Sequence, residues 1–184
     1  YGPAVAAARG HIVLKGVRPS QLRIPLTMLE RAGARVRREE EGRTIEVTMG
    51  KAPWALDLKT GPYPAFPTDL QSPFMAFLAA GQGVSHIEEK VFEGRFATAG
   101  ALRQMGARIT IEGQRATIQG TRPLRGAQVA ASDLRGGAAL AVAALAAEGE
   151  TVIGECRHIR RGYEDICRDL SALGARIKWM GEDS

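Results

Sequence analysis

A chain of 184 residues with 45% hydrophobic and 24% charged side chains is long enough for one domain with a sizeable core, and its composition excludes disorder. Its 25 Lys+Arg against 20 Asp+Glu leave a formal charge of +5, which favours anionic partners, either nucleic acid or phosphorylated small molecules. Aromatic residues, at 5%, are too sparse for a surface that stacks single-stranded bases. The longest apolar run, Ala138 to Ala147, is half a membrane span, and no charged segment precedes an apolar one as in a signal peptide. Cys156 and Cys167 form neither a metal-ligand spacing nor a disulfide framework. A cytoplasmic protein with no membrane partner is expected.

In chain order, the first ten residues look like the tail of a helix. His11 to Lys15 then reads as a strand and Ser20 to Ala32 as a helix strained by Pro25. Ala34 to Arg38, Thr44 to Met49 and Ala55 to Lys59 follow as strands, with the acidic run Glu39 to Glu41 in a solvated turn. Pro64 and Pro67 keep the next stretch extended, and Thr68 and Asp69 supply oxygens able to cap a helix start. Leu70, Phe74, Phe77 and Leu78 fall at helical spacing before Gly81 and Gly83. Val84 to Glu89 reads as a strand, Val91 to Arg95 as a loop and Thr98 to Met105 as a helix. Arg108 to Glu112 and Ala116 to Gln119 pair around Gly113. A buried helix runs through Leu140 to Ala147, being apolar nearly all round, and a further helix spans Tyr163 to Leu173.

Internal repetition organises these elements. LERAGARV from Leu29, LRQMGARI from Leu102 and LSALGARI from Leu170 share one pattern, their glycines Gly33, Gly106 and Gly174 lying 73 and 68 residues apart. Glycine after each helix predicts a left-handed cap. Each unit reads as helix, strand, helix, strand, usually followed by two more strands. The predicted fold is therefore α/β (α+β) and pseudo-threefold, with helices gathered together and sheets around them. The units fall at about residues 1–62 (truncated), 63–130 and 131–184, the last stopping after its Gly-Ala strand.

FPTDLQ (Phe66–Gln71), VFEGRF (Val91–Phe96), ASDLRGGAAL (Ala131–Leu140) and HIRRGYE (His158–Glu164) resemble the UDP-N-acetylglucosamine 1-carboxyvinyltransferase family of enolpyruvyl transferases. The likeness runs along essentially the whole chain, in order. It implies an inside-out α/β barrel of three βαβαββ units, one of two such domains flanking an active site. It also implies that this chain is the C-terminal portion and that the second domain, with the family's proton-donating cysteine loop, lies elsewhere. The implied substrates are phosphoenolpyruvate and UDP-N-acetylglucosamine, with no metal or organic cofactor, and the chain alone is expected to be inactive.

Residue by residue, the resemblance makes Asp69 the carboxylate that contacts and deprotonates the sugar 3-hydroxyl; the residues alone leave a helix cap as an equal reading. Asp133 and Arg135 match an Asp-x-Arg at the start of the third unit's buried helix. Arg135 there faces phosphoenolpyruvate, a task suited to a permanently charged planar fork. Arg161 matches the arginine that binds the phosphoenolpyruvate carboxylate. Val91 matches a position whose backbone meets the nucleotide-sugar, and Arg95 shares its loop. The chain departs from the commoner family pattern at Gly94, often asparagine, and at Arg160, usually an acid. His11, His86 and His158 are dispersed and read as structural. Two alternatives compete: a 5-enolpyruvylshikimate-3-phosphate synthase-like transferase, against which FPTD and HIRRGYE speak, and a non-enzymatic anion- or nucleic-acid-binding module. The latter would need a basic stripe interleaved with aromatics, which is not found.

Overall fold

The computed structural model describes residues 1–120 and 123–181. A first helix, α1 (Gly2–Ala7), leads into β1 (His11–Lys15), and α2 (Arg23–Arg31) is followed by the hairpin β2 (Arg35–Glu39) and β3 (Thr44–Thr48). These strands form one antiparallel sheet in the order β1-β3-β2. After β4 (Asp57–Lys59) come α3 (Gln71–Ala79), β5 (Val84–Glu88), α4 (Thr98–Gln104), β6 (Arg108–Glu112) and β7 (Arg115–Gln119). The second sheet has the order β4-β5-β7-β6, so β5, β7 and β6 repeat the arrangement of β1, β3 and β2. The remainder holds β8 (Leu124–Arg125), β9 (Gln128–Ala130), α5 (Leu134–Ala146), β10 (Ala147–Glu148), β11 (Val152–Gly154), α6 (Arg157–Arg160) and α7 (Ile166–Ala172). There β9 pairs parallel to β11 just as β4 pairs parallel to β5. The first residues of β1, β5 and β11 are His11, Val84 and Val152, spaced by the same 73 and 68 residues as the repeated glycines.

The centre is helical. All nine residues of α3 are buried, and Phe74, Met75 and Phe77 are wholly inaccessible. A helix with no polar face has nowhere to sit but the core. Phe66, Phe74 and Phe77 stack edge to face with centroids 4.9 and 5.7 Å apart. α5 lies along α3 and α1 packs against both, the alanines of α1 and α5 letting the backbones approach. The sheets face outward: Ile45 and Val47 of β3, Ile87 of β5 and Ile118 of β7 turn inward and are fully buried, and alternate positions meet water. Among the described residues, no helix is long and apolar enough to cross a membrane.

Several sequence expectations need correction. The segment Ser20 to Ala32 is not one helix: a 3-10 turn over Pro19–Leu22 precedes α2. Pro25 then falls in the first turn of α2, where amides have no intrahelical acceptor, so it strains nothing. The last helix begins at Ile166, capped by Asp165, and not at Tyr163. Residues 175–180, predicted to be the third Gly-Ala strand, are irregular, and no described strand pairs with them. The expected left-handed glycines do occur at all three repeats, with φ of 103° at Gly33, 86° at Gly106 and 92° at Gly174.

Candidate active site

The starts of α3 and α5 resemble each other in sequence and differ in structure. At α5, Asp133 is a true N-cap: its Oδ1 accepts hydrogen bonds from the amides of Arg135 at 2.8 Å and Gly136 at 3.0 Å. The equivalent Asp69 caps nothing. It lies in a 3-10 turn, Thr68–Leu70, that has no side-chain cap, so the cap expected of Thr68 and Asp69 is not formed. The Thr68 hydroxyl is instead spent on Glu89, and the Asp69 carboxylate projects toward two arginines.

Those arginines come from distant parts of the chain. Arg135 Nη1 donates to Asp69 Oδ1 at 3.3 Å, and Arg95 Nη1 stands 3.6 Å from the same oxygen. Arg135 Nε lies 3.8 Å from Asp133 Oδ1, so one guanidinium spans both aspartates. Arg95 rests on the ring of Phe92, 4.2 Å from its centroid, and its side chain is only 17% exposed. Its Nη1 is buried and has no hydrogen-bond acceptor within reach. A buried guanidinium N–H without an acceptor is costly, and a ligand oxygen would relieve it. Asp69 is 73% exposed, which limits the pairs to about 0–1 kcal/mol of stability apiece. Their value lies elsewhere than in holding the fold.

Arg161 comes from a turn that packs on the start of α5. The neighbouring Gly162 sits so close to Leu134, the first residue of α5, that an added Cβ would lie 2.5 Å from Leu134 Cδ2. In the same way Ile159 presses on Gly137, where a Cβ would lie 2.4 Å from Ile159 Cγ1. The turn carrying Arg161 is thereby held against the first turn of α5, the helix that carries Arg135. Arg161 itself is exposed. Arg160 stacks on Trp179, 4.7 Å from the ring centroid.

Val91 lies in the Arg95 loop, but its amide is already committed, donating to Glu89 Oε1 at 2.9 Å; what its backbone can offer a ligand is the carbonyl. Glu89 itself was not singled out in the sequence. It is 1% exposed and makes no ion pair with a described residue. Its signal was the period-two alternation of the strand, which puts Ser85, Ile87 and Glu89 on the buried face. Burial is the largest single influence on its carboxyl and raises its pKa. Hydrogen bonds from Val91, Thr60, Thr68 and Phe92 together outweigh it and hold the carboxyl below its ordinary 4.5. His11 pairs with Glu46 and His86 with Asp57, far from the cluster in role. Among the described residues, no group of His, Cys, Asp and Glu is arranged to hold a metal ion.

Residues 1–170 match the family model for EPSP synthase (3-phosphoshikimate 1-carboxyvinyltransferase). The chain belongs to the EPSP synthase family. Within and around this family, 97% of the chain is 42% identical to proteins named UDP-N-acetylglucosamine 1-carboxyvinyltransferase from Bartonella tribocorum and Brucella ovis. The chain spans only about two fifths of those relatives' length, 42% and 41% respectively. Among solved structures, the enolpyruvyl transferase NikO from Streptomyces tendae superposes over 96% of the chain and 42% of its own, with a TM-score of 0.84 at 26% identity. An EPSP synthase from Acinetobacter baumannii shares the fold, with a TM-score of 0.71 at 23% identity over 98% of this chain and 42% of that one. The mixed helix-and-strand fold expected from the repeats is thus the fold of this chain, and it matches enolpyruvyl transferase structures.

Proposed function

We propose that this chain forms one wall of an enolpyruvyl transferase site, and that the protein carrying it moves the enolpyruvyl group of phosphoenolpyruvate to the 3-hydroxyl of UDP-N-acetylglucosamine. The observation that carries this reading is Asp69 held between Arg135 and Arg95, 3.3 and 3.6 Å away, although the three residues lie on different elements. Such an arrangement sets a proton acceptor beside two anion-binding forks, which is what joining a hydroxyl to a phosphorylated, carboxylated alkene requires. The acceptor class is that named for the relatives, UDP-N-acetylglucosamine 1-carboxyvinyltransferases.

In this reading the acceptor hydroxyl loses its proton to the Asp69 carboxylate as its oxygen bonds to the central carbon of phosphoenolpyruvate. The terminal carbon gains a proton from a group on a second domain outside residues 1–184. Elimination then reverses that proton transfer, breaks the carbon–oxygen bond to phosphate and releases phosphate. Arg135 and Arg95 face the phosphate and the tetrahedral intermediate, Asp133 keeps Arg135 at the mouth of α5, and Arg161 takes the carboxylate. The Val91 carbonyl meets the nucleotide-sugar. Fixed cations aimed at developing charge need no reorganisation at the moment of reaction, so they are the main source of acceleration.

The same reading takes the chain as three units, about 1–62, 63–130 and 131–184, of an inside-out barrel facing a second domain. The two sheets of like order, and the parallel pair that begins a third, support it. It places the reaction in the cytoplasm as the first committed step of peptidoglycan precursor synthesis, with the isolated chain inactive. The test is phosphate release by the whole protein from phosphoenolpyruvate with either UDP-N-acetylglucosamine or shikimate 3-phosphate. Turnover with the sugar nucleotide, abolished in Asp69→Ala, is expected. Turnover with shikimate 3-phosphate alone would overturn the acceptor assignment, and turnover by an Asp69→Ala protein equal to the parent would remove the base.

A further inference from the structure

We propose that Glu89 is the positioning residue of this site: its buried carboxylate fixes both the loop that carries Arg95 and the turn that carries Asp69. The inference rests on the transferase reading for its consequence in catalysis, and on geometry alone for the positioning.

Four donors from three segments converge on this one side chain. Oε1 accepts from the Thr60 hydroxyl at 2.8 Å, the Val91 amide at 2.9 Å and the Phe92 amide at 3.2 Å, and Oε2 accepts from the Thr68 hydroxyl at 2.9 Å. Thr60 Oγ1 in turn accepts from the Lys90 amide at 2.8 Å, so its only proton is committed to Glu89. The backbone of Glu89 is anchored independently, its amide donating at 2.9 Å to the carbonyl of Gln114 in the turn between β6 and β7. Three consecutive amides, Lys90, Val91 and Phe92, are thereby turned inward at the point where the chain leaves β5. The ring of Phe92 then carries Arg95. On the other side Thr68 is bonded to Asp69 through one peptide, so its hydroxyl fixes the backbone from which the Asp69 carboxylate projects.

The chemistry demands an acceptor here. An alanine leaves two amides and two hydroxyls with no partner in a dry interior, and the loop must open to find water. A glutamine can keep its oxygen on the three donors at the Oε1 position and turn its amide toward Thr68, whose hydroxyl rotates from donor to acceptor. Glutamine is therefore a rescue and alanine is not. Thr68→Val cuts only the tie to the Asp69 turn and leaves the tie to the loop.

The experiment compares the whole protein with its E89A, E89Q and T68V variants. It measures kcat and KM per folded molecule, together with amide hydrogen exchange at Val91, Phe92 and, as a control, Ile118 of β7. In E89A, kcat is expected to fall about a hundredfold, the scale set by an ångström of misplacement. Exchange at Val91 and Phe92 should quicken while Ile118 keeps its protection. E89Q should restore that protection and most of the turnover. T68V should lower kcat with Val91 and Phe92 still protected. A merely structural role would lower the yield of folded protein and leave kcat per folded molecule alone, which would overturn the proposal. Unchanged exchange at Val91 and Phe92 in E89A would also overturn it. Should E89A fail to fold, undiminished turnover in T68V does the same. Absence of turnover in the parent protein would sink the transferase reading, and the exchange comparison would still decide whether Glu89 holds the loop.

Discussion

Replacing Asp133 by alanine separates the two jobs of a residue that touches both a helix and the site. The side chain accepts from two first-turn amides, at 2.8 and 3.0 Å, and faces the positive end of the thirteen-residue helix α5. Loss of such a cap costs about 0.5–2 kcal/mol. Loss of the negative charge at the helix start adds about 0.3–1 kcal/mol, toward the lower end because the side chain is 43% exposed. The sum is about 2 kcal/mol. In a domain of this size each kcal/mol moves the midpoint by about 2–4 °C, so D133A should melt about 4–8 °C below the parent. Asparagine caps as well as aspartate, so D133N should lose only the charge contribution and melt within about 2 °C. Turnover should fall in both variants, because Arg135 Nε loses its carboxylate partner at 3.8 Å in each. Scanning calorimetry of the whole protein, following the transition of this domain, measures the first effect and phosphate release the second. Equal destabilisation by alanine and asparagine would refute the cap as the source of stability. Full turnover in D133N would refute Asp133 as a support for Arg135.

Arg95→Lys should reduce kcat/KM by at least about tenfold with little change in melting, because an ammonium is a point charge and cannot replace the fork that lies on Phe92; steady-state kinetics checks it. Gly137→Ala places a methyl 2.4 Å from Ile159 Cγ1 and should cost about 1–3 kcal/mol in urea unfolding; shortening Ile159 to valine removes only Cδ1, keeps Cγ1 and should restore little of it. Acid should weaken the protein through Glu89 and Glu30. The hydrogen bond from Arg38 holds Glu30 down, and the four donors hold Glu89 down against burial. Both folded-state values lie below the ordinary 4.5, so this stability is fully present above pH 4.5 and is lost as pH falls through the folded values. Urea titrations below pH 4.5 should therefore show a steeper loss in the parent than in E89Q.

Much of the architecture was legible in the sequence because it was written more than once. The Gly-Ala phrase fixed the helix ends at Gly33, Gly106 and Gly174, where a left-handed backbone leaves glycine as the easy choice. The strand alternation at Val84 to Glu89 was equally plain. What sequence could not rank was two aspartates in rhyming places. Asp133 caps its helix and Asp69 does not; beside Asp69 the Thr68 hydroxyl is bonded to Glu89, a residue 21 positions later. The pairing of Asp69 with Arg95 and Arg135 is tertiary, and no local pattern encodes it; family resemblance pointed to the residues without giving their contacts. Residues 175–180 carried a strand-like pattern, yet a strand exists only where a ladder can be formed, and no described neighbour offers one.

The complete burial of α3 bears on how this protein can respond to selection. Asp69 stands directly ahead of a helix in which every residue from Gln71 to Ala79 is enclosed, so there is no tolerant, water-facing position behind it through which small adjustments could drift in. A compound lodged against the Asp69 turn would press on the least mutable part of the molecule. Escape from it would have to come from the loop side, at the exposed side chains of Val91 or Glu93, which can change without breaking the ties that the Val91 and Phe92 amides make to Glu89.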